Sequence, residues 1–449
     1  MTQNIVSGPE LRRQAYGVLF RLGLPVLVTQ LGNIVVSMAD TMMVGAYGTR
    51  ELASAAFVNN LFMIPLVMQM GFAGGVTPLI GALYGARKFD EAGGMLRVAM
   101  RQNLIVGAMV VLVMSALYFA LPYMGQPPEL LPLIKDYYLI VLLSVAAASL
   151  FYPCMQMALG VTDTVSPMLV IIAANLVNVG GNYMLIFGHL GAPELGLNGA
   201  GISTLAARIL STVAMVWIVV GTRRYRPYRA GLHNPVPVAG QRRRVWRTSV
   251  PISVQSGVEC SLWGVGAVVS GWFGKEQLAA YQVVLIMGQL GFMVYMSFTT
   301  ALSVRVANLT GTGDKAGIMA TSVAALRMVL VLATLSSLTF MLFGEPILHL
   351  FTEDEAVIGI GVSLIFPLVL YQYADAVQMT YVNALRGTSR VRPLIPISVS
   401  AYILVGATVM LFLASGLDMA SEGVYYSFSV ALAVAAVLYR RSFLRTQRR

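Results

Sequence analysis

The chain has 449 residues, 57% hydrophobic and 11% charged, with 30 Lys and Arg against 19 Asp and Glu for a net charge of +11. Its mean hydropathy of +0.75 is more than a soluble core needs, which excludes a soluble globular domain. The two cysteines, Cys154 and Cys260, fall in apolar runs without metal or redox spacing and read as small buried residues.

Runs of about 20 or more mostly apolar residues, enough to cross a bilayer at a rise of about 1.5 Å per residue, recur along the chain. They predict twelve spans, over residues 14–47, 52–84, 96–122, 131–159, 167–190, 197–221, 248–273, 278–309, 317–344, 355–385, 393–415 and 422–440. The opening MTQNIVSGPELRRQAYGVLFRLG leads into a run longer than a signal peptide and without a cleavage site, so it is expected to be retained as the first span.

Taken in order, the spans carry polar residues at helical spacing. In the first, Gln30, Asn33, Ser37 and Asp40 share one face. The second contains NNLFMIPLVMQM, with Met63, Met68 and Met70, and the fifth offers Asn175, Asn178 and Asn182. Arg208, in the sixth, is the one base set well away from a predicted span end. The seventh places Gln255 and Ser256 one turn before Glu259 and Trp263 one turn after. Gln282, Met287, Gln289, Phe292 and Met293 of the eighth form a candidate substrate surface, because polarisable methionines beside aromatics repack around ligands of different shape. In the tenth, Tyr371, Gln372, Asp375 and Gln378 share a face.

An ionisable group at membrane depth is costly and marks an ion or substrate path. With three acids, Asp40, Glu259 and Asp375, against Arg208, at least two are expected to be protonated, water-exposed or cation-bound. Carboxylate and amide oxygens are hard ligands for a small cation, or the acid exchanges a proton. Asp40 is expected to meet the fifth-span asparagines.

The sequence repeats. A shift of 226 residues lays GAYGTRELA (45–53) on GWFGKEQLA (271–279), ALGVTDTVSP (158–167) on ALRGTSRVRP (384–393), Pro25 on Pro251 and Gly85 on Gly311. Gly199 meets Gly423 only at 224, which a two-residue loop difference would explain. Two six-helix bundles are expected, 1–221 and 248–449, joined by a polar linker at 222–247. Each half has an even number of spans, so the pseudo-two-fold axis should run along the membrane normal, with a central cleft and alternating access. None of the three acids falls on an acid in the other half.

The basic residues follow topology. With both termini on one side, 26 of 30 Lys and Arg lie on that side; the others are Arg50, Lys135, Lys275 and Arg208. Cytoplasmic loops hold such an excess, so the termini are expected to be cytoplasmic, with lipid headgroups as partners and no nucleic acid. No Walker A sequence is present, GTGDKAG (311–317) follows a span where a dinucleotide fingerprint needs a strand, and His189, His233 and His349 are scattered. An enzyme is not expected. The sequon at Asn308 is predicted to be cytoplasmic and silent.

PVLVTQLGNIVVSMADTMMVG, NLVNVGGNYMLIFGHLGAPELGLNGAG, SGVECSLW and LYQYADAVQMTYVNALRG together resemble the multidrug and toxic compound extrusion (MATE) family, in its NorM-like bacterial branch, over nearly the whole chain. The resemblance implies a bacterial inner-membrane antiporter. It would act as a monomer without cofactor and export amphipathic, cationic compounds in exchange for sodium ions or protons. It assigns Glu259 and Asp375 to cation coupling in the second lobe and Asp40, with Asn178 and Asn182, to a first-lobe site. Asn182 stands where some relatives have a second acid, and GLDMASEGVYYSFSVAL lacks the glycine and tryptophan pattern usual there. A flippase for lipid-linked precursors shares such an architecture but would favour a basic cleft, and a membrane-embedded enzyme or receptor is a further rival.

Overall fold

The computed structural model of the chain describes residues 8–233 and 240–448; residues 234–239 of the expected linker lie outside the described residues. The helices in chain order are α1 (Gly8–Tyr47), α2 (Thr49–Gly74), α3 (Val76–Gly85), α4 (Phe89–Tyr118), α5 (Leu131–Gly160), α6 (Val165–Phe187), α7 (Leu197–Gly221), α8 (Arg226–His233), α9 (Gln241–Gly271), α10 (Lys275–Thr312), α11 (Lys315–His349), α12 (Glu355–Gly387), α13 (Leu394–Gly416) and α14 (Ala420–Arg448). With α2 and α3 counted together, twelve among the described residues are long and apolar enough to cross a membrane, as the hydropathy pattern predicts. Helices are the natural answer there, because a lipid-buried backbone must satisfy its own hydrogen bonds.

The ends are set by local chemistry. At GTGDKAG the chain turns: Gly313 takes a left-handed φ of 73° and closes α10, while the Asp314 carboxylate accepts from the Gly317 N–H at 2.8 Å and starts α11. Asp354 caps α12 by accepting from the Ala356 N–H at 3.0 Å.

The repeat is written into the turns. Left-handed backbone recurs at Arg87 and Gly313, at Thr162 and Ser389, and at Leu190 and Asp418. Only the first pair keeps the 226-residue shift. The shift grows along the half and then falls, because α6 and α7 are joined by Gly188–Gly196 whereas only Leu417–Met419 join α13 and α14. The expected two-residue loop difference is thus too small. Gly199 and Gly423 play one part in both halves: a Cβ on Gly199 would meet the Leu185 carbonyl, and one on Gly423 the backbone of Leu413 and Ala414. Each lets two antiparallel helices approach closely.

Two compact units form, Val28–Ser253 and Met1–Leu27 with Val254–Arg449. Their limits differ from the expected 221 and 248. Both α1 and α9 change unit two residues beyond a repeated proline, Pro25 and Pro251. Up to Leu27, α1 packs on α10, with Phe20 stacked on Phe298 and Gly23 against the same ring.

The first part of the expected linker is ordered. In the Val28–Ser253 unit α8 lies on α4 so closely that a Cβ on Gly93 would meet the Tyr228 carbonyl and one on Gly231 the Asp90 carbonyl. Arg97 donates to the His233 carbonyl at 3.1 Å, and the Tyr225 hydroxyl to Asp163 Oδ2 at 2.8 Å. Arg224 pairs with the same carboxylate at 3.4 Å. Burial pushes the Tyr228 hydroxyl up to about 12; burial, and then the Asp163 carboxylate, hold that of Tyr225 well above its ordinary value.

Candidate functional site

In the Val28–Ser253 unit, α1 and α6 meet as the spacing predicts. Asn182 is fully buried and its Nδ2 donates to Asp40 Oδ1 at 2.5 Å. Two turns away Asn175 donates to Asn33 Oδ1 at 3.2 Å. Asn178 is buried too but turns to α7, donating to Thr204 Oγ1 at 3.1 Å. Ser37 does not join this set: it is exposed, and its carbonyl accepts from Thr41.

The second unit holds a denser arrangement. Asp375 on α12 is 1% exposed, with Oδ2 accepting from the Tyr295 hydroxyl of α10 at 3.1 Å and Oδ1 accepting nothing from the protein. Gln378, one turn on, donates to the Tyr402 hydroxyl of α13 at 2.7 Å while its Oε1 is unpartnered. Gln372 accepts from Ser336 of α11 at 3.0 Å, and Tyr371 packs its ring against Trp263 of α9. On α9, Gln255 donates to Glu259 Oε2 at 2.5 Å. The two acids act electrostatically on each other. Helix period alone aligns Tyr371, Gln372, Asp375 and Gln378, and all four are buried.

The MatE family profile matches residues 25–184 and, a second time, 251–412. The chain belongs to the MatE family. Members are transporters and not enzymes. The two matches begin at the repeated prolines, so the internal duplication and the family pattern coincide. The chain is 26% identical to a multidrug resistance protein NorM of Photobacterium profundum, covering 87% of this chain and 86% of that one. Against the NorM of Aliivibrio fischeri it is 25% identical, covering 96% and 94%. Among solved structures, an outward-facing multidrug resistance MATE family transporter of the MOP superfamily matches with a TM-score of 0.87 at 17% identity, each chain covered in full. A MOP superfamily transporter from Pyrococcus furiosus matches with a TM-score of 0.88 at 16%, covering 99% of both. These structures establish the MatE fold.

Within this MatE chain a base just outside the predicted spans reaches one of the acids. Arg386, in the last turn of α12, donates from Nη2 to Gln255 Oε1 and, at 3.3 Å, to Ser256 Oγ. Through Gln255 it reaches Glu259, on which its charge also acts directly. The predicted tenth span ended one residue before it, and an arginine side chain reaches back along its helix. Of the candidate substrate surface, Met287 is fully buried among helices, whereas Gln282 and Gln289 are exposed and Phe292 and Met293 partly buried. Phe292 packs edge-to-face on Tyr295, the donor to Asp375. Of the described residues, no cluster of three His, Cys, Asp or Glu forms a transition-metal site. The donors are hard oxygens.

Proposed function

We propose that this protein exports amphipathic, cationic organic compounds by antiport, with Glu259 and Asp375 handling the coupling ion, a sodium ion or a proton. The observation that carries the reading is the charge balance of the second unit. Two carboxylates share one region with one base, Arg386, which hydrogen bonds tie to the Glu259 side. Asp375 therefore keeps an unpartnered oxygen beside the unpartnered Gln378 Oε1 on the same helix face. Oxygens of this kind suit a small hard cation, and a carboxylate out of water otherwise takes a proton.

Coupling follows if ion and organic cation cannot both be stabilised by these acids in one conformation, since only a difference in affinity between states moves the equilibrium. The names of the NorM relatives and membership of the MatE family support multidrug substrates. The basic loops support a bacterial inner-membrane location with both termini cytoplasmic, and the supporting residues in the first unit are Asn33, Asn178 and Asn182 around Asp40. The chain is read as a monomer without cofactor. Expression in a drug-sensitive bacterium tests the reading: protection against ethidium should appear and should collapse when the sodium and proton gradients are dissipated. No protection, or protection indifferent to both gradients, contradicts it.

A further inference from the structure

In the unit formed by Met1–Leu27 and Val254–Arg449, α1 and α11 border a groove of about 600 Å³ lined by Tyr16, Phe20, Arg21, Arg327, Val331 and Leu332. Arg21 and Arg327 are exposed, and among the described residues neither forms an ion pair. Two guanidiniums without a counter-charge thus face one largely apolar groove. Beyond Arg327, Val331, Leu335 and Leu338 continue the same helix face and are exposed, as are Phe20 and Leu24 on α1.

The same pair recurs in the other half. The 226-residue shift lays Arg21 on Arg247 and Arg327 on Arg101, and it lays Phe20 on Trp246 and Phe298 on Phe72. The packing repeats with the residues: Phe20 stacks on Phe298 with ring centroids 6.2 Å apart, and Trp246 meets Phe72 edge-to-face at 5.2 Å. In the Val28–Ser253 unit Trp246 Nε1 also donates to Gln102 Oε1 at 2.6 Å, so their chain neighbours, Arg247 of α9 and Arg101 of α4, lie at one helix contact. Both arginines are exposed and without an ion pair among the described residues. Past Arg101, Ile105, Met109 and Leu112 are exposed, in the places of Val331, Leu335 and Leu338. Unlike the acids at membrane depth, this arrangement is present twice.

The helices α1, α4, α9 and α11 are the first, third, seventh and ninth of the described spans, so all four enter the membrane from the same side. At the helical rise their arginines lie about 26 to 39 Å from the far helix ends, against a hydrocarbon core of about 30 Å. The guanidiniums therefore come to the near interface, at the level of lipid phosphates, and the exposed apolar stripes run from them into the hydrocarbon. We propose that each unit binds one anionic phospholipid here, its phosphate bridged by Arg21 and Arg327 in one unit and by Arg101 and Arg247 in the other. The charged oxygens of a phosphate diester match guanidinium forks. Two bases without an acid favour a headgroup of net negative charge over one that carries its own cation, and a basic pocket between helices at the interface is the arrangement that holds such a headgroup. Topology asks only for bases in the loops. It does not ask for a matched pair inside the spans, beside the same aromatic contact, in both halves. Each lipid ties together the helices of its pair, α1 with α11 and α4 with α9, and the inference is independent of the export reading.

Native mass spectrometry of the purified full chain, titrated with phosphatidylglycerol or phosphatidylcholine, counts the bound lipids and gives the affinity of each. The unmodified chain should bind two phosphatidylglycerols about tenfold or more tighter than phosphatidylcholine, the size expected for charge-assisted hydrogen bonds. R21Q/R327Q and R101Q/R247Q should each lose one of the two tight sites and keep the other, and the retained site shows that the fold persists. Removing the same charge elsewhere, in R440Q/R441Q at exposed positions of α14, should change neither. Equal affinity for the two lipids overturns the proposal, and so does an equal loss in R440Q/R441Q, which would assign the preference to net charge. A pair variant that keeps both tight sites, or loses both, overturns it as well. Displacement of phosphatidylglycerol by inorganic phosphate at equal concentration overturns it in favour of a site for a free anion.

Discussion

Asp375 is the most enclosed of the three membrane-depth acids, and one of its two carboxylate oxygens accepts no hydrogen bond from the protein. Its helix-mates were legible in the sequence because a period of 3.6 residues fixes which side chains share a face. So was the meeting of Asp40 with Asn182. Arg386 was not legible: its partner is more than a hundred positions away, and only tertiary packing brings α9 and α12 together. If Arg386 balances Glu259 through Gln255, the two residues are energetically coupled. Removing the base in R386M leaves a buried carboxylate without its counter-charge and should lower stability by about 3 kcal/mol. Removing the acid as well, in R386M/E259Q, should recover about 1 kcal/mol or more relative to additivity. Thermal unfolding of the four proteins in detergent measures this, and simple additivity contradicts the relay.

At the scale of elements, hydropathy found all twelve spans, because membrane crossing is a one-dimensional property of length and composition. It marked residues 222–247 only as a polar linker. Residues 222–233 instead dock on α4 through glycine contacts that carry no hydropathy signal. G231V should push α8 away from the Asp90 carbonyl and loosen the backbone so that trypsin cleaves after Arg223 and Arg224 several-fold faster than in the unmodified chain; equal cleavage rates would show that the contact is not holding α8 in place. The docking should also weaken in alkali. Folded Tyr228 titrates near 12 against about 10 in an unfolded chain, so its contribution is complete below pH 10 and is lost as pH rises toward 12. Y228F should remove that part of the alkaline dependence, read as tryptic susceptibility from pH 9 to 11.

For the whole molecule, the duplication was plain in the sequence wherever turns and prolines recur, and the two family matches start at Pro25 and Pro251. The unit limits were hidden, because α1 and α9 each belong to two units and no composition change marks the crossing. The duplication supplied a scaffold with the charges placed asymmetrically: Asp40 with asparagines and Arg208 in one unit, Glu259, Asp375 and Arg386 in the other. Topology follows from the basic loops, so a cytoplasmic reporter fused at the C-terminus should be active and a periplasmic phosphatase there inactive. The measurement that bears most directly on the coupling role of the second unit is dye transport in proteoliposomes, with sodium and proton gradients imposed separately on the unmodified chain, E259Q and D375N. The unmodified chain should be driven by at least one gradient, and each variant, still folded and still binding dye, should lose that response. Full gradient-driven transport by either variant would contradict the assignment.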